Sequence, residues 1–158
     1  MKMYLEIILL IIAVAAFSYL FFYSADILLA PLTPQNPGNQ VCINGNCFTV
    51  QLAKTNAEKE KGLMDVKQMD SNKGMLFIFE QEGVYPFWMK NTLIPLDMIW
   101  IDQNKKIVYI GKNIQPCQTF ICPITNLSVK ASYVLEINGG ISEKMGMKVG
   151  DTVELKIK

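Results

Sequence analysis

The sequence predicts a mainly-β protein: a compact β-sandwich or barrel-like domain with one or two short helices, preceded by a single N-terminal transmembrane helix. Three observations predict it. Short alternating or unbroken apolar runs bounded by turn residues recur through the second and larger part of the 158-residue chain. An uncharged apolar run of 19 residues, 7–25, lies near the start. An Asn-Gly dipeptide, the strongest short hairpin signal, sits midway between two cysteines. With 51% hydrophobic and 18% charged residues the chain is more apolar than an ordinary soluble domain, as one apolar segment would make it.

Taken in order, residues 1–6 are expected to be a short cytoplasmic N-terminus and residues 7–29 the anchor. At about 1.5 Å rise per residue the uncharged run spans roughly 28 Å, close to the hydrocarbon thickness of a bilayer. No polar face interrupts it, which argues against a buried core helix. A cleaved signal peptide would have a shorter apolar region ending at a small-x-small site. Here the run is long and aromatic at its far end, where Tyr19 and Tyr23 suit the membrane interface. Lys2 and the amino terminus are the only positive charges before it, so the rest of the chain is expected outside. The expectation is a single-pass cell-membrane protein with its C-terminal domain extracytoplasmic. Residues 30–39, with Pro31, Pro34 and Pro37, form a semi-rigid linker, and residues 40–158 the outer β domain.

Within that domain Phe48, Val50 and Leu52 alternate with Thr49 and Gln51, and Val153, Leu155 and Ile157 with Glu154 and Lys156. Each pattern predicts a half-buried strand. Apolar or β-branched runs over 75–79, 98–101, 107–110 and 133–137 predict strands buried on both faces, and Asp102-Gln103-Asn104-Lys105 predicts a hairpin turn. Thr55 with Glu58 forms a capping-box pattern and Gly62 suits a helix end, so one helix is expected between them. A second short turn of helix is expected over 142–145.

The four cysteines fall into two pairs, Cys42/Cys47 and Cys117/Cys122. With Asn44-Gly45 as the hairpin loop, Cys42 faces Cys47 in a non-hydrogen-bonded pair, where Cα atoms approach within about 4.5 Å. That lies in disulfide range. The second pair lies in a Pro-flanked loop and can also close locally. Two local disulfides suit an extracytoplasmic domain; crossed connectivities and a four-thiolate zinc site remain open from spacing alone. Neither pair has the two-residue spacing of thioredoxin-like redox motifs.

Composition narrows the chemistry. All 15 basic residues are Lys, with no Arg and no His, against 14 acidic residues. Histidine-based triads and histidine-ligated metals are therefore excluded, as are bidentate Arg clamps on guanine, phosphate or carboxylate. The net charge of +1 implies no nucleic-acid partner. Nine methionines suggest Cu(I), but they are scattered, with Met145 and Met147 the nearest to a cluster, and core filling explains them. No metal site and no cofactor are assigned.

The least generic stretch is Phe87-Trp88-Met89-Lys90-Asn91-Thr92 followed by Ile94-Pro95-Leu96-Asp97. It resembles the signature of the domain of unknown function 192 family, also called uncharacterised protein family 0127. Gly62-Leu63-Met64, Gly74-Met75-Leu76-Phe77-Ile78-Phe79, Val134-Leu135-Glu136, Gly140 and Gly150-Asp151 extend the resemblance over about residues 48–157. It implies a mainly-β, sandwich-like fold, a prokaryotic origin and a frequent signal or anchor segment, but no established activity. Family members often carry a basic residue shortly after Gly-Leu-Met; here Asp65-Val66 follows, so no anion-binding role is expected there.

The residues themselves suggest a pocket mouth formed by Trp88, Lys90, Asn91, Thr92, Asp97, Trp100 and Glu136. Lys90 would be its cation and Asp97 its acceptor or base, with both tryptophans as stacking walls for a sugar or peptide. The alternative, which short polar side chains in turns favour, is that Asn91, Thr92 and Asp97 fix a tight connection, Lys90 pairs with Asp97, and the tryptophans are core. Glu136 would be either the exposed side of a strand or a partner for Lys90. The leading expectation is a binding or accessory module for a small ligand, an envelope polymer or a protein partner. One alternative is a hydrolase or lyase using Asp97 or Glu136 with Lys90; another is a Cys-based metal or redox protein.

Overall fold

Each apolar run of the outer domain becomes a strand in the computed structural model, which describes residues 38–125 and 128–158 continuously. Before them it describes only Tyr4, Ile12, Val14, Ser18 and Tyr19, all helical and exposed. Ser18 Oγ donates to the Val14 carbonyl at 2.9 Å. Apart from these, the expected span lies outside the described residues, as does nearly all of the linker. Among the described residues no helix is long and apolar enough to cross a membrane.

In chain order the elements are β1 (Gln40–Ile43), β2 (Asn46–Ala53), α1 (Asn56–Lys61), β3 (Lys73–Gly83), β4 (Phe87–Trp88), β5 (Leu96–Ile101), β6 (Ile107–Ile114), β7 (Ile124–Thr125), β8 (Ala131–Asn138), α2 (Ile141–Lys144) and β9 (Val153–Lys156). Seven strands form one sheet in the order β6-β5-β8-β3-β2-β1-β9, and β4 pairs with β7 in a separate ribbon. Only β2 and β3 run parallel within the large sheet. A parallel pair needs a crossover, and α1 with the loop after it supplies one. Thr55 and Glu58 form the full capping box: the Glu58 N–H donates to Thr55 Oγ1 at 3.2 Å, and the Thr55 N–H to Glu58 Oε2 at 2.8 Å.

The hairpin between β1 and β2 turns on Asn44 (φ 50°) and Gly45 (φ 79°), both left-handed as a type I′ loop requires. Ile43 therefore faces Asn46 and Cys42 faces Cys47. The turn after β5 is closed by the Lys105 N–H donating to the Asp102 carbonyl (3.1 Å) and the Lys106 N–H to Asp102 Oδ1 (2.8 Å).

The sheet curls until its first and last strands meet. Lys106 and Thr152 form an antiparallel bridge; the Ile107 N–H donates to Asp151 O (3.0 Å) and the Val153 N–H to Lys105 O (2.8 Å). The architecture is thus a curled half-barrel with two short helices. It corrects the sandwich form of the expectation: one sheet rolls on itself, and loops and the small ribbon, not a second large sheet, cover its outer face. Two apolar clusters follow from the alternation of side chains along each strand. One draws on every strand of the large sheet, with Ile43, Phe48, Leu76, Ile99, Ile107, Leu135 and Val153 among its members, and fills the curl. The other covers the opposite face of β3, β5 and β8 with Phe77, Met98, Trp100 and Val134, under Leu63, Met89 and Cys117. The central strands are buried on both faces, as their unbroken apolar runs require.

Candidate functional site

The signature segment stands on the outer face as an extra strand-like layer. Lys90 bridges in parallel to Cys117, and Thr92 in antiparallel to Met64. The Asn91 N–H donates to Cys117 O (3.2 Å), the Cys117 N–H to Met89 O (3.2 Å), and the Asp65 N–H to Asn91 O (2.9 Å). Gln118 Nε2 adds a bond to Thr92 O at 2.9 Å. Asn91 takes the left-handed conformation (φ 55°) that an Asn tolerates at a turn. The segment is therefore clamped between the Gly62-Leu63-Met64 loop and the loop closed by the Cys117–Cys122 disulfide. Both local disulfides are formed, and no free cysteine remains. That removes the thiolates on which the zinc and redox readings depended. Among the described residues no cluster of metal-ligating side chains occurs.

Beneath the segment lies Glu136. It sits on β8 in register between Met75 of β3 and Met98 of β5, only 4% exposed. Its Oε2 has no hydrogen-bond partner among the described residues. Burial among apolar neighbours pushes the carboxyl up to about 8, because the charged form loses its hydration without compensation. Glu136 is neither the exposed side of a strand nor an ion-pair partner of Lys90, which corrects both expectations. It lines a cavity of about 30 Å3 together with Leu63, Phe77, Trp88, Lys90 and Thr92. That is room for about two waters. An open groove of about 440 Å3, lined by Ala57, Glu60, Lys61, Met64, Trp88, Lys90 and Asn91, shares Trp88 and Lys90 with the cavity.

Trp88 is 44% exposed, and the Lys90 ammonium lies 5.3 Å from its ring centroid, a cation–π distance. Thr92 is buried. These residues and Glu136 are brought together. Asp97 and Trp100 are not. Asp97 is fully buried on the other face, where it accepts from the backbone N–H groups of Asn113 (2.7 Å), Gly140 (2.9 Å) and Ser142 (2.7 Å). It makes no pair with Lys90 and cannot serve as a base beside it. Trp100 is core rather than a stacking wall: its ring packs edge-on to Phe87 and Tyr109, each at 5.5 Å, and its Nε1 donates to Tyr85 O at 3.1 Å.

Residue types alone did not single out Leu63, Phe77 or Glu60 as site residues. The signal available was the Gly62-Leu63-Met64 element, which places a loop over this face. The brace from Cys117 was also missed, since nothing local links residue 117 to residue 90.

No match is found among curated proteins. A crystal structure of a protein of unknown function from Novosphingobium aromaticivorans is similar at 34% identity, with a TM-score of 0.68, covering 73% of this chain and 83% of that one. A candidate transcription regulator from Sinorhizobium meliloti is similar at 32% identity, with a TM-score of 0.65, covering 74% of this chain and 91% of that one. The family model described as "Uncharacterized ACR", DUF192, matches residues 39–155, which hold the curled sheet up to, but not including, the last residue of β9, together with the clamped segment and Glu136. On that match the chain belongs to the DUF192 family.

Proposed function

We propose that the chain is a membrane-tethered, extracytoplasmic binding module whose recess above Glu136 receives one small polar group of a larger envelope ligand. The observation that carries this reading is the unpartnered Oε2 of Glu136, a residue lining a small cavity that shares Trp88 and Lys90 with the neighbouring groove. A buried polar atom without a partner costs stability, so a site that keeps one is a candidate for a ligand group. At neutral pH the carboxyl is mostly protonated and can both donate and accept, which matches a hydroxyl or an amide. The cavity admits a group of that size and little more, while Trp88 and Asn91 offer the groove an aromatic surface and a polar rim. The disulfides, the uncharged run over 7–25 and the Pro-rich linker support an outer, tethered domain.

The test is a thermal-shift and Trp-fluorescence panel of oligosaccharides and short peptides on the detergent-solubilised full chain. A ligand at 100 times its Kd should add about 2.7 kcal/mol. Trp88→Ala and Glu136→Ala should each weaken that ligand at least tenfold, the effect of about 1.4 kcal/mol. A ligand that binds both variants as tightly as the native chain would place the site elsewhere.

A second reading has one observation in its favour. A carboxyl raised toward neutrality, with Glu60 lining the same cavity, suits a general acid in a hydrolase or lyase. Turnover of envelope material that is lost in Glu136→Gln while binding persists would select this reading over pure binding.

A further inference from the structure

Between Lys112 and Lys130 the chain carries no charge. Within that stretch the Cys117–Cys122 disulfide closes a short loop, and at its tip Phe120 and Ile121 are 99% and 82% exposed. They are the two most exposed large hydrophobic side chains among the described residues. Ile124, also exposed, follows in β7 opposite Trp88. At the tip Thr119 Oγ1 donates to the Ile121 carbonyl at 2.8 Å, so that one acceptor is met within the loop. Scattered surface hydrophobics are ordinary, but two adjacent ones held outward by a covalent staple form a preordered contact.

We propose that this loop is a membrane contact, with Phe120 and Ile121 entering the interface of the bilayer that holds the N-terminal segment. The inference rests on the tethered reading above and adds an orientation to it. Lipid is favoured over a protein partner on three grounds. The feature is a narrow tip rather than a groove or face, and two side chains alone give too little buried area for a stable protein interface. Its flanks are polar but uncharged (Gln115, Gln118, Thr119, Thr125), so no acidic side chain of the stretch faces anionic headgroups. The third ground is proximity. Ten residues of chain can span at most roughly 35 Å, while a domain of this size has a radius of gyration of roughly 14 Å. A tethered domain thus stays within about its own diameter of the surface. Insertion of two residues, too weak to recruit a free protein, becomes an intramolecular step that sets which face looks away.

The experiment uses the full chain in phosphatidylcholine vesicles with acyl chains brominated near the headgroup. Flotation after an alkaline wash reports the anchor. Trp emission of Phe120→Trp, of Val149→Trp (an exposed site outside the uncharged stretch) and of the native chain reports the contact. The expected result is that all three float, and that only Phe120→Trp shows additional, blue-shifted and bromine-quenched emission. Floating chains with no extra quenching in Phe120→Trp overturn the contact but leave the anchor standing. Equal quenching at positions 120 and 149 also overturns it, as does quenching-free self-association through the loop. A chain that fails to float overturns the anchor and the contact together.

Discussion

Asp97 and Glu136 stand one register step apart on adjacent strands and project to opposite faces of the sheet. Asp97 pairs with Ile137 and Glu136 with Met98, so side-chain alternation drives the two carboxyls apart. One turns toward α2 and meets three backbone N–H groups; the other turns toward the clamped segment and meets no partner at Oε2. Two buried acids in one strand pair thus have different physical roles. A mechanism that uses both on one substrate is closed off.

Asp97 is a structural acceptor, and its replacement should be costly. Asp97→Ala leaves the Asn113, Gly140 and Ser142 N–H groups without their shared acceptor, with that of Ser142 buried. Urea denaturation should show a loss of about 3–5 kcal/mol. Asp97→Asn keeps one oxygen and the size, and should lose about half of that. An unchanged midpoint in the Ala variant would contradict the role.

Glu136 should make stability depend on pH. Its folded pKa of about 8 lies above the ordinary carboxyl value, so the native state holds a proton that the unfolded state has released. Stability is then greatest below the unfolded pKa and falls as pH rises from about 4.5 to about 8. Glu136→Gln keeps the shape without the proton and should flatten that slope while raising stability at pH 8. Denaturation curves between pH 4 and 9 check the sign; a slope unchanged in the variant would refute it.

Gly74 lies under the backbone of residue 136. A Cβ there would stand 2.5 Å from the Glu136 carbonyl oxygen and 3.0 Å from Ile137 Cγ2. Since the obstacle is backbone in a paired strand, Gly74→Ala should cost about 1–3 kcal/mol and shift the Glu136 amide resonance. A neutral substitution would mean that β3 and β8 can slide apart there.

The two disulfides should differ in what they hold. Each closes a loop of similar length, so replacing either pair by Ser should cost about 2 kcal/mol on loop entropy. Only Cys117/Cys122 braces the signature segment. Its loss should speed hydrogen exchange at the Asn91 and Cys117 amides, which bond across to Cys117 O and Met89 O. Removal of Cys42/Cys47 should leave those amides unchanged.

Local order in the chain was sufficient for much of the fold. Alternation marked β2 and β9, unbroken apolar runs marked β5 and β8, Asn44-Gly45 fixed the register that joins Cys42 to Cys47, and Thr55 with Glu58 started α1. The family, too, was legible, because its signature is contiguous. These features are short-range: each depends on side chains within a few residues of one another, and hydrophobic periodicity or cap chemistry encodes them directly.

What tertiary structure alone decided is which of the polar residues share a site. Nothing within β8 shows that Glu136 faces the clamped segment rather than solvent. Its side is set by the pairing of β8 with β3 and β5. Asp97 looked like a neighbour of Lys90 in sequence, yet it ends on the opposite face, and Trp100 goes with the core although Trp88 does not. The rolling of one sheet, rather than the stacking of two, depends on Lys106 meeting Thr152, 46 residues apart. Pairings over such distances are selected by the burial of the whole apolar surface, a sum over many residues that no local window contains.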